Sequence, residues 1–303
     1  MNDVPRIGSS PSLAPLIASW PVGAGLAESP HWMADRRALL WVDILAPSVN
    51  YLDTVSGENV AIAVPAKIGS ATAMTRGGAL LALERELWLS QPGAGLQRHV
   101  APPMGATHFN DGKCDAAGRF WLGSRSSDGS PGKGVLYRLD PDRALHAMAR
   151  GFDVCNGLGW SPDGRSFYLV DTVPRLLYRY DFDSASGTIA NRRVVQTFAG
   201  IPGKPDGLAV DAEGRIWCAM WDGAGIALLS GDGAWIGWLD TPCPRPTSCA
   251  FGGESGDVLF VTTASFGLDA ADAGRFGRSG EILAFAAGVA GVPVHAFAGG
   301  RVP

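Results

Sequence analysis

The sequence predicts an all-β protein, a six-bladed β-propeller with four antiparallel strands per blade. Three observations carry this prediction. A strand–turn–strand pattern recurs six times at propeller spacing, each recurrence is followed by enough chain for two more strands, and helix signal is nearly absent. The recurrences are PHWMADRRALLWVD (30–43), SATAMTRGGALLAL (70–83), GKCDAAGRFWLGS (112–124), GLGWSPDGRSFYLVD (157–171), GLAVDAEGRIWCAM (207–220) and SCAFGGESGDVLFVTT (248–263). Their turns centre near residues 36, 77, 118, 164, 214 and 256, so successive units lie 41 to 50 residues apart.

Each unit reads the same way. A short apolar run rich in aromatic and branched residues enters a turn of Asp, Gly or Arg, then a second apolar run leaves it. The outer strand pair is visible as NYLDTVSGENVAIAV (50–64) in the first unit, GVLYRLDPDRALHAMA (134–149) in the third and LLYRYDFDSASGTIANRRVVQTF (176–198) in the fourth. The alanine-rich stretch 270–290 is interrupted by Gly274, Gly277, Gly280 and Gly288, which argue against a helix. A loop over 267–280 followed by the strand EILAFAA (281–287) fits better. Independent hairpins would leave many open edges, and closing the ring removes them. Two terminal segments, APLIASW (14–20) and PVHAFAG (293–299), read as strands, and the N-terminal one is expected to complete the last blade. The expected organisation is a flexible tail over 1–14 and one propeller domain over 15–303.

Composition sets limits. Of 303 residues, 41 are Gly and 21 Pro with no collagen-like period, which suits a protein with many tight turns. Ten tryptophans, among them Trp32, Trp41, Trp88, Trp121, Trp160, Trp217 and Trp238 in or beside apolar runs, suit packed sheets. A net charge of −4 without a basic run speaks against nucleic acid as a partner. No apolar run approaches a membrane span, and the first residues lack the pattern of a signal peptide, so a cytoplasmic protein is expected, monomeric or a small homo-oligomer. The five cysteines form no C-x-x-C pair and read as buried free thiols, with Cys243 and Cys249 near enough in sequence for one disulfide.

The chemistry-bearing residues share a phase. Asn110, Asn156 and Asp206 each stand eight residues before the glycine of their turn, at Gly118, Gly164 and Gly214. Asn, Asp and Gly also favour turns for local reasons. Equal phase in successive blades, however, puts these side chains on one ring around the axis. Glu28 precedes the first hairpin strand and can face the same channel. A glutamate, two asparagines and an aspartate offer only oxygen ligands, which suit a hard dication. Without a cation, converging carboxylates repel. His31 and His108 flank these positions, and neither H-E-x-x-H nor G-x-S-x-G is present. The segment GSRSSDGSPGKG (123–134) lacks G-K-[ST] and reads as a rim loop.

The pieces ESPHW, FNDGKCDAAGRFWLGS, NGLGWSPDGRSFYLVDT, PDGLAVDAEGRIWCAMW and PTSCAFGG…LFVTTA span nearly the whole chain. They resemble the senescence marker protein, regucalcin and gluconolactonase family. That resemblance implies a six-bladed propeller with one divalent cation in the channel, held by Glu28, Asn156 and Asp206, with Asn110 facing substrate or water. Calcium, magnesium, manganese, zinc and ferrous iron are all candidates. Two departures stand out. Ser29 replaces the glycine common in the first motif. His108 replaces an arginine that binds substrate hydroxyls, and a histidine cannot reproduce its fork of hydrogen bonds.

The expected function is hydrolysis of a small lactone, a sugar-derived aldonolactone, with Asp206 as general base and Asn110 and His108 as substrate contacts. The alternatives are a phosphotriester or organophosphate hydrolase on the same scaffold, and a metal- or small-molecule-binding propeller without turnover. Segments 221–227 and 266–280 are expected at the rim, with Trp221, Phe109 and Phe152 as candidate pocket walls.

Overall fold

The structure, a computed structural model, describes residues 14–91, 93–102, 105, 107–269, 272 and 276–299. Apart from Ala14, the expected tail over 1–14 lies outside them. The described strands form six four-stranded antiparallel sheets. β1 (Leu16–Trp20) comes first in the chain. Blade 1 is β2 (Ala27–Met33), β3 (Ala38–Asp43), β4 (Ser48–Asp53) and β5 (Asn59–Ala63). Blade 2 is β6 (Ile68–Ala73), β7 (Ala79–Leu83), β8 (Glu86–Gln91) and β9 (Gly95–Val100). Blade 3 is β10 (Thr107–Cys114), β11 (Phe120–Ser126), β12 (Gly134–Leu139) and β13 (Leu145–Phe152). Blade 4 is β14 (Cys155–Trp160), β15 (Ser166–Asp171), β16 (Leu176–Asp183) and β17 (Thr188–Thr197). Blade 5 is β18 (Lys204–Val210), β19 (Ile216–Trp221), β20 (Gly225–Leu229) and β21 (Trp235–Asp240). Blade 6 is β22 (Pro246–Gly252), β23 (Val258–Thr263) and β24 (Ile282–Ala286), completed by β1, which pairs with β24 through Trp20 opposite Ile282. The six-bladed, all-β fold and its closure by the N-terminal strand are as the sequence predicted.

Why the inner runs are apolar throughout follows from the packing. Both faces of each blade are buried, one against each neighbour, so alternate residues of one strand feed two different cores. In β3, Leu40 and Val42 pack with blade 2, while Leu39 and Trp41 pack with blade 6. In β19, Trp217 and Ala219 face blade 6, and Ile216, Cys218 and Met220 face blade 4. Because the cores lie between blades, closing the ring buries the faces that blades 1 and 6 would otherwise leave open.

The predicted turn centres are the positive-φ positions Arg37, Gly77, Gly118, Gly164, Gly214 and Gly256. The repeated D-A-x-G-R-x-W segment is structural. Asp115 accepts hydrogen bonds from Arg119 Nε (2.6 Å) and Trp121 Nε1 (2.8 Å). Asp211 does the same for Arg215 Nε (2.6 Å) and Trp217 Nε1 (2.9 Å).

Two expectations change. PVHAFAG (293–299) is not a blade strand. Its segment crosses beneath the ring, with Val292 N donating to Val210 O (3.0 Å) and Phe297 N to Ala73 O (2.8 Å). The outermost place in blade 6 is already taken by β1, so the C-terminal segment floors the channel instead. All five cysteines, Cys243 and Cys249 included, are free and buried. No helix of the described residues is long and apolar enough to cross a membrane.

Candidate active site

Every inner strand carries a register shift at the same level. The shifts fall between Glu28 and His31, Ile68 and Ser70, Phe109 and Gly112, Asn156 and Leu158, Pro205 and Leu208, and Pro246 and Ser248. A bulge re-aims the side chains around it. Six in one ring turn Glu28, Asn110, Asp111, Asn156 and Asp206 toward the axis at the end where the inner strands begin. Glycines let the strands approach closely there. A Cβ on Gly157 would lie 2.5 Å from Asp206 O, and one on Gly207 would lie 2.0 Å from Ser248 Oγ.

The side chains tie neighbouring blades together. Asn156 Nδ2 donates to Asp206 Oδ1 and to Thr172 Oγ1 (3.1 Å). With Nδ2 so engaged, Asn156 Oδ1 meets only Gly157 N among the described residues, at 3.3 Å, and keeps a lone pair for a cation. Asn110 Nδ2 donates to Cys155 O (3.0 Å). Glu28 accepts from Ser29 N (3.1 Å). Ser29 has φ 52°, in the left-handed region where a glycine is unstrained, which accounts for glycine at the corresponding place in the resembled motif. Here the serine hydroxyl donates to Ala71 O and accepts from Ala71 N, both at 3.1 Å, fastening blade 1 to blade 2.

The electrostatics are those of a crowded anionic site. Glu28, Asp111 and Asp206 are all buried. Burial, then Asp206 and Asp111, hold the Glu28 carboxyl well above the usual range. Burial and Asp111 do the same for Asp206, opposed by the Asn156 hydrogen bond and the Arg125 guanidinium. Burial raises Asp111 as well, against Lys113 and the Gly112 N–H. Lys113 Nζ reaches across blade 4 to donate to Leu208 O (2.7 Å). Lys113 acts on Asp111 and Arg125 on Asp206, so three carboxylates meet two cations and the site keeps an excess of negative charge that a cation would offset. The donors are oxygens, as a hard cation requires. Among the described residues no group of three or more His, Cys, Asp and Glu side chains is placed to hold an ion, so the expected set relies on the Asn156 amide.

The two flanking histidines part company. His108 lies half-buried at the mouth, with Nδ1 3.2 Å from Ser127 Oγ. Burial, with Arg125, Lys67 and Arg85, lowers its pKa, so it is neutral at pH 7. His31, on the inner strand of blade 1, is buried and bonds Thr72 Oγ1 of blade 2 (3.2 Å). It lines a cavity of about 310 Å³ with Lys113, Ser248, Phe251 and His295, above the C-terminal segment. Of the candidate pocket walls, Phe109 and Phe152 belong to inter-blade cores. Trp221 is half-buried beneath the Arg245 guanidinium, 5.0 Å from its ring centroid.

Sequence reasoning missed Asp111, Lys113 and Arg125. The first two sit in the same N-D-G-K run as Asn110. A period-two strand turns only alternate residues to one side, whereas the bulge exposes Asn110 and Asp111 together. Arg125 lies on β11 directly opposite His108.

Comparison with known proteins agrees with this architecture. The family model described as the SMP-30/Gluconolactonase/LRE-like region matches residues 26–265. A 6-deoxy-6-sulfogluconolactonase of Pseudomonas putida is 34% identical over 278 residues, covering 90% of this chain and 95% of that protein. Pentonolactonase XacC of Haloferax volcanii is 34% identical over 264 residues, covering 87% and 88%. The crystal structure of a calcium-binding protein, regucalcin, from Agrobacterium tumefaciens superposes with a TM-score of 0.85 at 25% identity, over 95% of this chain and 98% of that one. The chain belongs to the SMP-30/gluconolactonase/LRE-like family.

Proposed function

We propose that this protein is a dication-dependent lactonase that opens the ester of a small, sugar-derived lactone at the channel mouth. The observation that carries this is the buried oxygen set of Glu28, Asn156 and Asp206, in which burial and neighbouring carboxylates hold both carboxyls well above their usual range. The names of the Pseudomonas and Haloferax relatives support a sugar lactone as substrate. The calcium-binding description of the Agrobacterium relative supports a divalent cation. Calcium, magnesium, manganese, zinc and ferrous iron all accept oxygen donors of this kind.

Glu28, Asn156 Oδ1 and Asp206 would hold the ion. When bound, it would polarise the ester carbonyl and stabilise the developing oxyanion. The protein's own groups do the rest. Asn156 Nδ2 and the Gly207 N–H fix the Asp206 carboxylate in place. A carboxylate has about four lone-pair sites, so those two donors leave it room to take a proton from water. Asn110, anchored through Nδ2 on Cys155 O, offers Oδ1 to a substrate hydroxyl or to the attacking water. His108, neutral and bound to Ser127 through Nδ1, offers Nε2 to the substrate's polar edge.

The test is Asp206→Ala. It should lose both stoichiometric dication binding and turnover of a sugar lactone. A D206A protein with normal metal content and normal rate would sink the assignment.

A further inference from the structure

The mouth of the channel carries a charge that the molecule as a whole does not. The chain is net −4. Above blades 2 and 3, three cations, Lys67, Arg85 and Arg125, act on His108 against the single carboxylate of Glu84. Local geometry gathers them. His108 stands directly opposite Arg125 in the β10–β11 ladder. Ser127 Oγ accepts from Arg85 Nη2 (3.4 Å) and lies 3.2 Å from His108 Nδ1. Glu84 N donates to Lys67 O (2.8 Å) and Phe109 N donates to Glu84 O (2.6 Å), stitching this end of blade 2 to the first strand of blade 3.

Arg125 differs from the other arginines near the ring. Arg245 is paired with Asp222 and stacked on Trp221. Arg119 is held by Asp115 and by Ser184 O. Arg175 donates to Ile201 O. Arg125 is exposed, and its guanidinium has no ion pair or hydrogen bond among the described residues. Arg125 stands one strand out from His108, their backbones about 5 Å apart in the sheet. An exposed guanidinium on the strand outside the proposed substrate contact His108 is placed for a group at the periphery of the substrate.

Resting on the lactonase assignment, we propose that Arg125, with Arg85, Lys67 and His108, forms a subsite for an anionic substituent on the lactone, a phosphate or sulfonate carried at the end of the molecule away from the ester. The planar fork of Arg125 matches two oxygens of such a group. Ser127 Oγ and His108 supply further polar contacts, and Lys67 and Arg85 add attraction at longer range.

The test compares kcat/KM of the dication-loaded full chain on D-glucono-δ-lactone, on its 6-phosphate and on its 6-deoxy-6-sulfo analogue, for wild type, Arg125→Met and Arg125→Lys. Wild type should favour an anionic lactone over the neutral one by about tenfold or more at low ionic strength, with the preference falling as salt is added. Arg125→Met should collapse that ratio, chiefly through KM, and Arg125→Lys should keep part of it. Thermal midpoints of the variants near wild type would show that the fold is intact. Preference for only one of the two anions would support the subsite and assign its charge and size. Efficient turnover of the neutral lactone with no anionic preference, or an unchanged ratio in Arg125→Met, would overturn the subsite and leave the lactonase assignment standing. No turnover of any of the three lactones with any dication would overturn both.

Discussion

His31 offers a quantitative check on the charge balance beneath the candidate site. Burial, then Lys113 and His295, push its pKa from 6.5 to about 3. Above pH 6.5 the ring is neutral in both folded and unfolded chains, and its contribution to stability is fully present. Below that pH the unfolded chain takes up a proton that the folded one refuses, so stability falls until the folded pKa is reached. Each pH unit in this window costs about 1.4 kcal/mol, which makes about 2 kcal/mol at pH 5. The carboxylates above titrate with the opposite sign, so the informative quantity is a difference. Urea unfolding of wild type and His31→Gln, both with chelator, would be measured at pH 7 and pH 5. Relative to the variant, wild type should lose about 2 kcal/mol on going to the lower pH. An unchanged difference would refute a buried neutral His31. The point bears on function, because a protonated His31 would supply charge that the proposed site otherwise draws from a dication.

Two further outcomes follow from the same ring. With chelator present, the raised pKa values of Glu28 and Asp206 make the protein less stable as pH climbs from about 4, because the unfolded chain then sheds protons that the folded one retains. A saturating dication should remove this loss, so the gap in urea midpoint between loaded and chelated protein should widen from pH 4.5 to pH 7.5; a constant gap would contradict it. Gly157→Ala puts a Cβ 2.5 Å from Asp206 O, forcing blades 4 and 5 apart between Asn156 and Asp206. It should lower stability by about 1–3 kcal/mol and weaken dication binding in calorimetry, and wild-type values for both would contradict the close approach.

The architecture was legible because its punctuation is chemical. Glycine, aspartate and arginine at the turns mark positions whose φ is positive or whose side chains cap the turn, as at Gly118 beside Asp115. Eight residues back from those glycines, the phase placed Asn110, Asn156 and Asp206 at the same end of three neighbouring strands, and Asn156 and Asp206 meet there in a hydrogen bond. What escaped depends on three-dimensional register. Asp111 turns inward only because β10 is bulged. Lys113 matters through a carbonyl 95 residues away. Arg125 reaches the mouth because it pairs across to His108. The segment 293–299 had the composition of a strand, and only the prior claim of β1 on the last blade sends it beneath the channel.

The most direct measurement is lactone hydrolysis followed with a pH indicator. Metal-stripped protein would be tested on five- and six-membered sugar lactones, with calcium, magnesium, manganese, zinc or ferrous iron added singly. The account predicts turnover well above spontaneous hydrolysis that appears with at least one dication and vanishes with chelator. Confirmed dication binding without hydrolysis of any lactone would contradict it.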